Sequence, residues 1–153
     1  NCVENMLISH KASDESLVKI FSQIPKNLNE KAENLLSFVG LYQKRKLRAG
    51  DLSFGQQKLL ELAMALMNEP EMLLLDEPTA GINPTLINGI IDRLIKVNQE
   101  FGITLLVIEH NMRVIMQLAE SIFCLAHGKM LANGTPQEIK NDKRVIDAYL
   151  GAQ

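Results

Sequence analysis

The sequence predicts an α/β fold built on a parallel sheet, and three stretches carry that prediction. Residues 72–75 are four consecutive apolar residues without alternation, which is typical of a parallel strand buried on both faces. A second apolar stretch, residues 103–108, has the length of another strand. Between them, Asn83 as N-cap and Pro84 in the first turn open a crossover helix that Gly102 ends. Strand, helix and strand in this order predict a right-handed βαβ unit with parallel strands.

Length and composition indicate a globular domain. The chain has 153 residues, of which 46% are hydrophobic, enough to bury a core. Lysine and arginine number 16 and aspartate and glutamate 18, and this net charge of -2 argues against nucleic-acid binding, which needs a basic surface. No apolar run reaches the length of a membrane span, and no secretory leader is recognisable. Cys2 and Cys124 have no metal or redox spacing, so we expect two thiols in a reducing compartment.

The helix predicted ahead of the first strand has the features of an anion site at its start. Ser53 and Gln56 have capping-box spacing, which predicts Ser53 as the N-cap. Gly55 keeps the first turn open, so backbone N–H groups, the Ser53 hydroxyl and the Gln56 amide would face one anion, such as phosphate. A Ser-x-x-Gln pair alone is more often only a helix cap. Pro70 is expected to end the helix, whose inner face is predicted at Leu59, Leu62, Ala63 and Leu66.

Two carboxylates, Asp76 and Glu77, follow the first strand at its carboxyl end, the edge where open α/β sheets bind ligands. Asp76 suits a hydrated Mg²⁺ ion, and Glu77 is placed to orient or deprotonate an attacking water. A solvated turn is the simpler interpretation of the pair. His110 follows the second strand, and because parallel strands end at one edge of a sheet, we expect it at the same edge as the two carboxylates.

The remaining segments predict a small helical subdomain at the start of the chain and a hairpin with helices at its end. The early helices are expected at residues 3–7, 16–24 and 29–39, with Gly40 as the last C-cap. Later elements are expected as a helix at 112–119, strands at 121–126 and 129–132 around the turn His127-Gly128, a short helix opened by Thr135, and a helix at 143–150. The basic run 44–48 is interpreted as a solvated loop without a role in a site.

Several of these segments resemble the motifs of ABC transporter ATPases, in the same order and at similar separations. Residues 52–56 (LSFGQ) resemble the signature, 72–77 (MLLLDE) a Walker B strand with its catalytic glutamate, 80–83 (AGIN) the D-loop, and His110 the switch histidine. Residues 81–84 (GINP), 108–112 (IEHNM) and 132–136 (ANGTP) are similar to the ATP-binding subunits of branched-chain amino acid uptake transporters. The resemblance covers essentially the whole chain.

The resemblance implies part of a P-loop NTPase, with a RecA-like parallel sheet and helices plus an ABC helical subdomain. Residues 1–70 would form the helical subdomain that ends in the signature helix, and residues 71–153 the C-terminal part of the core. The phosphate-binding pattern G-x-x-x-x-G-K-[ST] is not satisfied. Gly50 and Gly55 have the separation of its two glycines, but Gln56 occupies the position of its lysine. Together with Asn1 as first residue, this leads us to expect a C-terminal portion that is inactive alone.

In this family two subunits enclose two ATP molecules. The resemblance implies the roles of the family's motif residues for the matching residues of this sequence. Residues implied to contact the γ-phosphate bound by the partner are Ser53, Gly55 and Gln56. Asp76 would hold Mg²⁺ through water, Glu77 would act on the hydrolytic water, His110 would contact the γ-phosphate, and Asn83 would lie in the D-loop at the dimer interface. Implied partners are a second ATP-binding subunit, identical or different, and membrane permeases. The implied location is cytoplasmic, peripheral on the inner face of the membrane, without a span of its own.

Two positions depart from the commonest family pattern. Phe54 replaces the first signature glycine, and Asn83 replaces the usual D-loop aspartate, both as in the branched-chain group. An alternative function is a non-enzymatic partner module that supplies only its signature face to a complete ATPase subunit. An ABC-type ATPase of DNA repair or translation is disfavoured by the near-neutral charge and the absence of coiled-coil heptads.

Overall fold

The computed structural model describes residues 1–10 and 26–150. The helix predicted at residues 16–24 lies outside these ranges. The chain divides into two compact units, Asn1–Val107 and Ile108–Gln153.

The first unit contains helices followed by a strand, a helix and a strand. The helices are α1 (Cys2–Ser9), α2 (Lys26–Phe38), α3 (Phe54–Leu66) and α4 (Pro84–Phe101), and the strands are β1 (Met72–Asp76) and β2 (Thr104–Ile108). Two short 3-10 turns, Tyr42–Lys44 and Ala49–Asp51, connect α2 to α3. All the elements predicted within the described part of this unit are present.

The first three helices pack against one another. Helix α2 buries Ala32, Leu35 and Leu36, residues with helical spacing on one side. Gly40 ends this segment with a φ of +79°, which confirms the predicted C-cap, because this left-handed conformation favours glycine. The buried thiol of Cys2 donates to the carbonyl oxygen of Leu47 over 3.3 Å, and burial raises the pKa of this thiol. Helix α1 is thereby attached to the segment that leads to α3.

The predicted βαβ unit is present in β1, α4 and β2, and β1 pairs with β2. Thr104 donates its N–H to the carbonyl oxygen of Glu71 over 2.9 Å, so the two strands begin side by side and run parallel. Helix α4 begins after Asn83 with Pro84 in its first turn. It ends at Gly102, a left-handed C-cap with a φ of 69°. Both helix boundaries therefore agree with the sequence.

The prediction that β1 is buried on both faces is wrong. Leu73 is only 8% exposed, whereas Met72 and Leu74 on the opposite face are 49% and 72% exposed. Leu106 of β2 is 51% exposed. Side chains alternate along a strand, so a sheet covered on one side leaves every second residue in water. An apolar run shows what a strand can bury, and in the described residues only one face is covered.

The second unit is a hairpin with short helices around it. Its elements are α5 (Met112–Leu118), β3 (Ile122–Ala126), β4 (Lys129–Gly134), α6 (Pro136–Asn141), α7 (Lys143–Val145) and a π-helical turn (Ile146–Leu150). Strands β3 and β4 are antiparallel, with Cys124 opposite Ala132. The connecting residues His127 and Gly128 have φ values of 49° and 74°. Two positive values are typical of the tight hairpin turn that the sequence predicts.

One face of this hairpin forms the core of the second unit. The buried residues are Ile122, Cys124, Ala132, Ile139 and Val145. Thr135 caps α6 in a capping box with Glu138, as predicted. The final segment is not the single α-helix predicted over residues 143–150, because α7 has three residues and the chain then widens into the π-helical turn. The Tyr149 hydroxyl in this turn donates to the carbonyl oxygen of Leu125.

Candidate functional site

The start of α3 confirms the predicted N-cap. Ser53 has the extended backbone of a cap residue (φ -63°, ψ 157°), and its N–H donates to Oε1 of Gln56 over 3.1 Å. The capping-box arrangement is present, while the Ser53 hydroxyl makes no well-formed cap bond. Because Ser53 is exposed, its hydroxyl can serve a ligand at this helix start.

Gly55 lies where the loop after β1 approaches α3. A Cβ atom on Gly55 would lie 3.0 Å from Cδ1 of Leu86 and 3.6 Å from Cγ2 of Ile82. Gly55 is itself buried. A side chain at Gly55 would therefore crowd Leu86 of α4 and Ile82 of the preceding loop, a reason for glycine that the sequence pattern did not reveal. Its predicted contact with phosphate stays a prediction.

Two details predicted for α3 are wrong. The helix ends at Leu66 rather than at Pro70, and Leu60 is buried while Leu59 is only half-buried. Glu69 takes a left-handed φ of 48°, which turns the chain out of the helix. Nζ of Lys31 lies 2.5 Å from the Glu69 carboxylate. This hydrogen-bonded ion pair lowers the pKa of Glu69 and accompanies the early end of α3.

Phe54, the aromatic residue of the signature segment, lies against the loop after β1. A Cβ atom on Gly81 would lie 3.3 Å from Cε1 of the Phe54 ring. Gly81 has a φ of +69°, a conformation that favours glycine. The ammonium group of Lys58 lies 5.7 Å from the ring centroid. The signature-like and D-loop-like segments therefore touch within the first unit.

The carboxylates Asp76 and Glu77 are both exposed at the end of β1. Asp76 is the last residue of the strand. Glu77 has a φ of 45°, which is uncommon for a residue other than glycine and is found in turns and at functional sites. Its carbonyl oxygen accepts the N–H of Ala80 over 3.0 Å, and Thr79 within this turn is 5% exposed. The turn presents both carboxylates at the surface, as a site for a ligand requires.

Asn83 caps α4. Its Oδ1 accepts the N–H of Thr85 over 3.0 Å and the Thr85 hydroxyl over 2.8 Å. The prediction of Asn83 as N-cap is confirmed, and the exposed residue keeps its amide group as a donor. Its place at a dimer interface stays a prediction.

His110 is exposed in the second unit, between β2 and α5. Asn111 caps α5 by accepting the N–H of Arg113 over 3.1 Å. The carboxylate of Glu109 accepts the N–H of Asn111 over 3.3 Å and so spans the histidine. Glu109 thereby stabilises the turn that carries His110, a role that sequence reasoning missed. The Glu-x-Asn spacing is the only local signal for it, and the placement of His110 beside the carboxylates stays a prediction.

The basic run is solvated as predicted at residues 46–48, which are exposed, but Lys44 and Arg45 are half-buried and have partners. Nζ of Lys44 donates to Oε1 of Gln56 over 3.1 Å. Nε of Arg45 lies 3.3 Å from the Glu33 carboxylate, and its guanidinium lies 4.0 Å from the Tyr42 ring centroid. Glu33 and Gln56 are each 12 residues from their partners, so the charge run alone did not predict these two contacts.

The site residues offer a donor set that fits hydrated Mg²⁺. Among residues 1–10 and 26–150, no group of three or more His, Cys, Asp and Glu side chains is placed to hold a metal. Mg²⁺ keeps several waters and commonly takes one or two carboxylates together with phosphate oxygens. Asp76 at the surface matches that mode of binding.

Within the same described ranges, no helix combines the length and apolarity that a bilayer crossing requires.

Comparison with known families and proteins gives one consistent relationship. A model of the ABC transporter family matches residues 3–80, which is 78 of the 153 residues. A model described as branched-chain amino acid ATP-binding cassette transporter matches residues 129–153.

Curated relatives match nearly all of this chain. A probable branched-chain amino acid transport ATP-binding protein from Archaeoglobus fulgidus is 33% identical over 99% of this chain and 60% of its own length. A high-affinity branched-chain amino acid transport ATP-binding protein from Pseudomonas aeruginosa is 35% identical over 97% of this chain and 61% of its own length. The chain therefore spans about 60% of the length of these relatives.

Solved structures show the same fold. The ADP conformation of an ATP-binding cassette of an ABC transporter has a TM-score of 0.81 and 34% identity, covering 98% of this chain and 62% of that one. A nucleotide-free cassette has a TM-score of 0.80 and 32% identity, covering 97% of this chain and 62% of that one. The α/β fold is thus that of an ABC ATPase cassette, in agreement with the sequence. Because its family model matches more than half of the residues, the chain belongs to the ABC transporter family.

Proposed function

We propose that the chain is part of an ATP-binding subunit that powers import of branched-chain amino acids by an ABC transporter. The names of the curated relatives and the family match at residues 129–153 support this solute class. Since the chain spans about 60% of those relatives, the activity is assigned to the complete subunit.

The start of α3 supplies donors for phosphate in this proposal. Ser53 offers its exposed hydroxyl as a donor, Gln56 offers its amide group, and the first-turn N–H groups of α3 add the positive end of the helix dipole. Gly55 permits the close packing that fixes this helix start beside the loop after β1. These residues bind the γ-phosphate of ATP held by a second ATP-binding subunit. We therefore expect this chain alone not to bind Mg-ATP detectably by calorimetry.

The carboxylates after β1 serve hydrolysis. Asp76 holds Mg²⁺ through water, and the bound ion supplies charge stabilisation to the phosphate oxygens. Glu77 accepts a hydrogen bond from the attacking water and takes its proton as the water oxygen bonds to the γ-phosphorus and the bond to ADP breaks. His110 contacts the γ-phosphate, and Asn83 lies at the interface between the two subunits.

The partners follow from this arrangement. The subunit forms a dimer, with itself or with a related ATP-binding subunit, and docks on membrane permeases. Its location is the cytoplasmic face of the cell membrane, held there by the permeases. No nucleic acid takes part, in keeping with the net charge of -2.

The observation that carries the proposal is the left-handed Glu77, exposed next to Asp76 at the end of β1. The test is Glu77→Gln in the complete subunit, with ATP binding and hydrolysis measured separately. We expect intact binding and hydrolysis slowed by about tenfold or more, since the amide cannot take the proton. Glu100→Gln makes the same change at an exposed carboxylate near the end of α4 and should leave turnover unchanged. Unchanged turnover in Glu77→Gln would remove Glu77 as the base.

A further inference from the structure

The side-chain amide of Gln56 is held by two donors. Its Oε1 accepts the backbone N–H of Ser53 over 3.1 Å and Nζ of Lys44 over 3.1 Å. A backbone N–H and an ammonium group can only donate, so the atom facing both must be the amide oxygen. The chemistry of the two partners therefore fixes which way the amide is turned, without ambiguity between oxygen and nitrogen.

This orientation leaves the amide nitrogen pointing away from both donors. No residue within 1–10 and 26–150 accepts a hydrogen bond from Nε2 of Gln56. Gln56 lies in the first turn of α3, where the backbone N–H groups of the helix start also point. The two N–H groups of Nε2 are thus available to a ligand at the start of α3.

Lys44 is anchored well enough to act as a support. Its own N–H donates to the carbonyl oxygen of Leu41 over 2.9 Å, and its carbonyl oxygen accepts the N–H of Leu47 over 2.9 Å and the thiol of Cys2 over 3.4 Å. The next residue, Arg45, is tied to Glu33 by an ion pair of 3.3 Å. The backbone under Lys44 is therefore fixed on both sides, and its side chain reaches Gln56 from a defined position.

We propose that Lys44 is a positioning residue that turns the Gln56 amide toward the phosphate of ATP. The ammonium group makes a charge-assisted hydrogen bond to the amide oxygen, which is stronger than a neutral one and polarises the amide so that its N–H groups donate better. This inference rests on the proposed function, because it assigns Lys44 to the same phosphate site.

The test compares three variants of the complete subunit. Lys44→Met removes the charge and the hydrogen-bond donor but keeps a side chain of similar length. Lys44→Arg keeps the charge and a hydrogen-bond donor. Lys46→Met removes one charge at an exposed neighbour outside this contact. We expect Lys44→Met to raise the KM for Mg-ATP about fivefold with kcat within about twofold, and the other two to stay close to the wild type. Equal effects of Lys44→Met and Lys46→Met would overturn the inference.

A double-mutant comparison separates positioning from general damage to the fold. If Lys44 acts through Gln56, then Lys44→Met adds no further change in KM to a subunit that already carries Gln56→Ala. Additive effects would show that Lys44 acts elsewhere and would contradict the inference.

The NMR signal of the Gln56 side-chain amide distinguishes a failure of the role assigned to Lys44 from a failure of the proposed function. It is assigned by its loss in Gln56→Ala and should shift between the wild type and Lys44→Met, whether or not ATP is hydrolysed. An unmoved signal overturns the role of Lys44. If the signal differs between the two proteins but the wild-type subunit hydrolyses no ATP, the proposed function is overturned instead.

Discussion

The ring of Phe54 packs over Gly81, so that a methyl group added to Gly81 would lie 3.3 Å from Cε1 of the ring. This contact joins the start of α3 to the loop that follows β1. Both segments hold proposed site residues, Ser53 and Gln56 on one side and Asn83 on the other. The aromatic residue in the signature segment thus has a structural purpose that a glycine in its place would not serve.

The first prediction concerns the cost of crowding at this contact. Gly81 and Gly102 both have a φ of +69°, but a Cβ atom on Gly102 would have no neighbour within 4 Å. Gly102→Ala should therefore lower the free energy of unfolding by about 1 kcal/mol through backbone strain alone. Gly81→Ala should lower it by about 2 kcal/mol, because the Phe54 ring must also move.

Urea unfolding of the complete subunit measures both values. Gly50→Ala is the matched control, since Gly50 has no positive φ and its added methyl would meet nothing within 4 Å. If Gly81→Ala and Gly102→Ala cost the same, the contact with Phe54 contributes no crowding.

A second prediction separates two roles of Asn83. Asn83→Ala removes the Oδ1 atom that accepts the Thr85 N–H at the start of α4, and should lower stability by about 1 kcal/mol. Asn83→Asp keeps an acceptor in that place and should preserve the melting temperature. An equal loss of stability in both variants would show that the cap hydrogen bond is not the reason why Asn83→Ala is less stable.

A third prediction concerns the proposed phosphate site. Ser53 is exposed, so an arginine side chain there can extend over the start of α3 without entering the core. Ser53→Arg should abolish ATP-dependent dimerisation of the complete subunit, measured by size-exclusion chromatography, because the side chain fills the space of the phosphate. Ser53→Thr keeps the hydroxyl and the cap and should dimerise. A normal ATP-dependent dimer of Ser53→Arg would contradict the assignment.

A fourth prediction follows from the capping box of α6. Oε2 of Glu138 accepts the N–H of Thr135 over 2.8 Å and its hydroxyl over 2.9 Å. These bonds, the backbone one first, lower the pKa of Glu138 below its ordinary value. A lowered pKa in the folded state means that the stabilisation is present above the pKa of the unfolded chain. It is lost as the pH falls through the folded pKa.

NMR titration of the Glu138 carboxyl carbon checks this shift. Thr135→Val removes the hydroxyl donor and keeps the backbone N–H, so the pKa should rise part of the way back. A titration midpoint that is the same in Thr135→Val and in the wild type would show that the hydroxyl bond does not contribute.

Local signals in the sequence predicted the boundaries of several elements. Asn83 with Pro84 and the later Gly102 delimit α4, and His127-Gly128 forms the hairpin turn, because caps and turns depend on residues a few positions apart. The family resemblance also gave the fold class, which the solved cassettes confirm.

Other features depend on contacts between distant residues, which no local pattern contains. The early end of α3 accompanies an ion pair between Lys31 and Glu69, which are 38 positions apart. The contact of Lys44 with Gln56 joins two elements, as does the packing of Phe54 on Gly81. For the site, sequence and family motifs proposed which residues act. The structure adds how Gln56, Gly55 and the turn around His110 are supported.

The described residues leave one face of the β1–β2 sheet uncovered, and this makes the stability of this chain depend on its surroundings. Met72, Leu74 and Leu106 present apolar side chains to water, and each square ångström removed from water contributes about 25 cal/mol. A polypeptide that binds this face only in the folded state raises the apparent stability with its concentration by mass action. A melting temperature of this chain therefore describes the chain together with whatever covers that face.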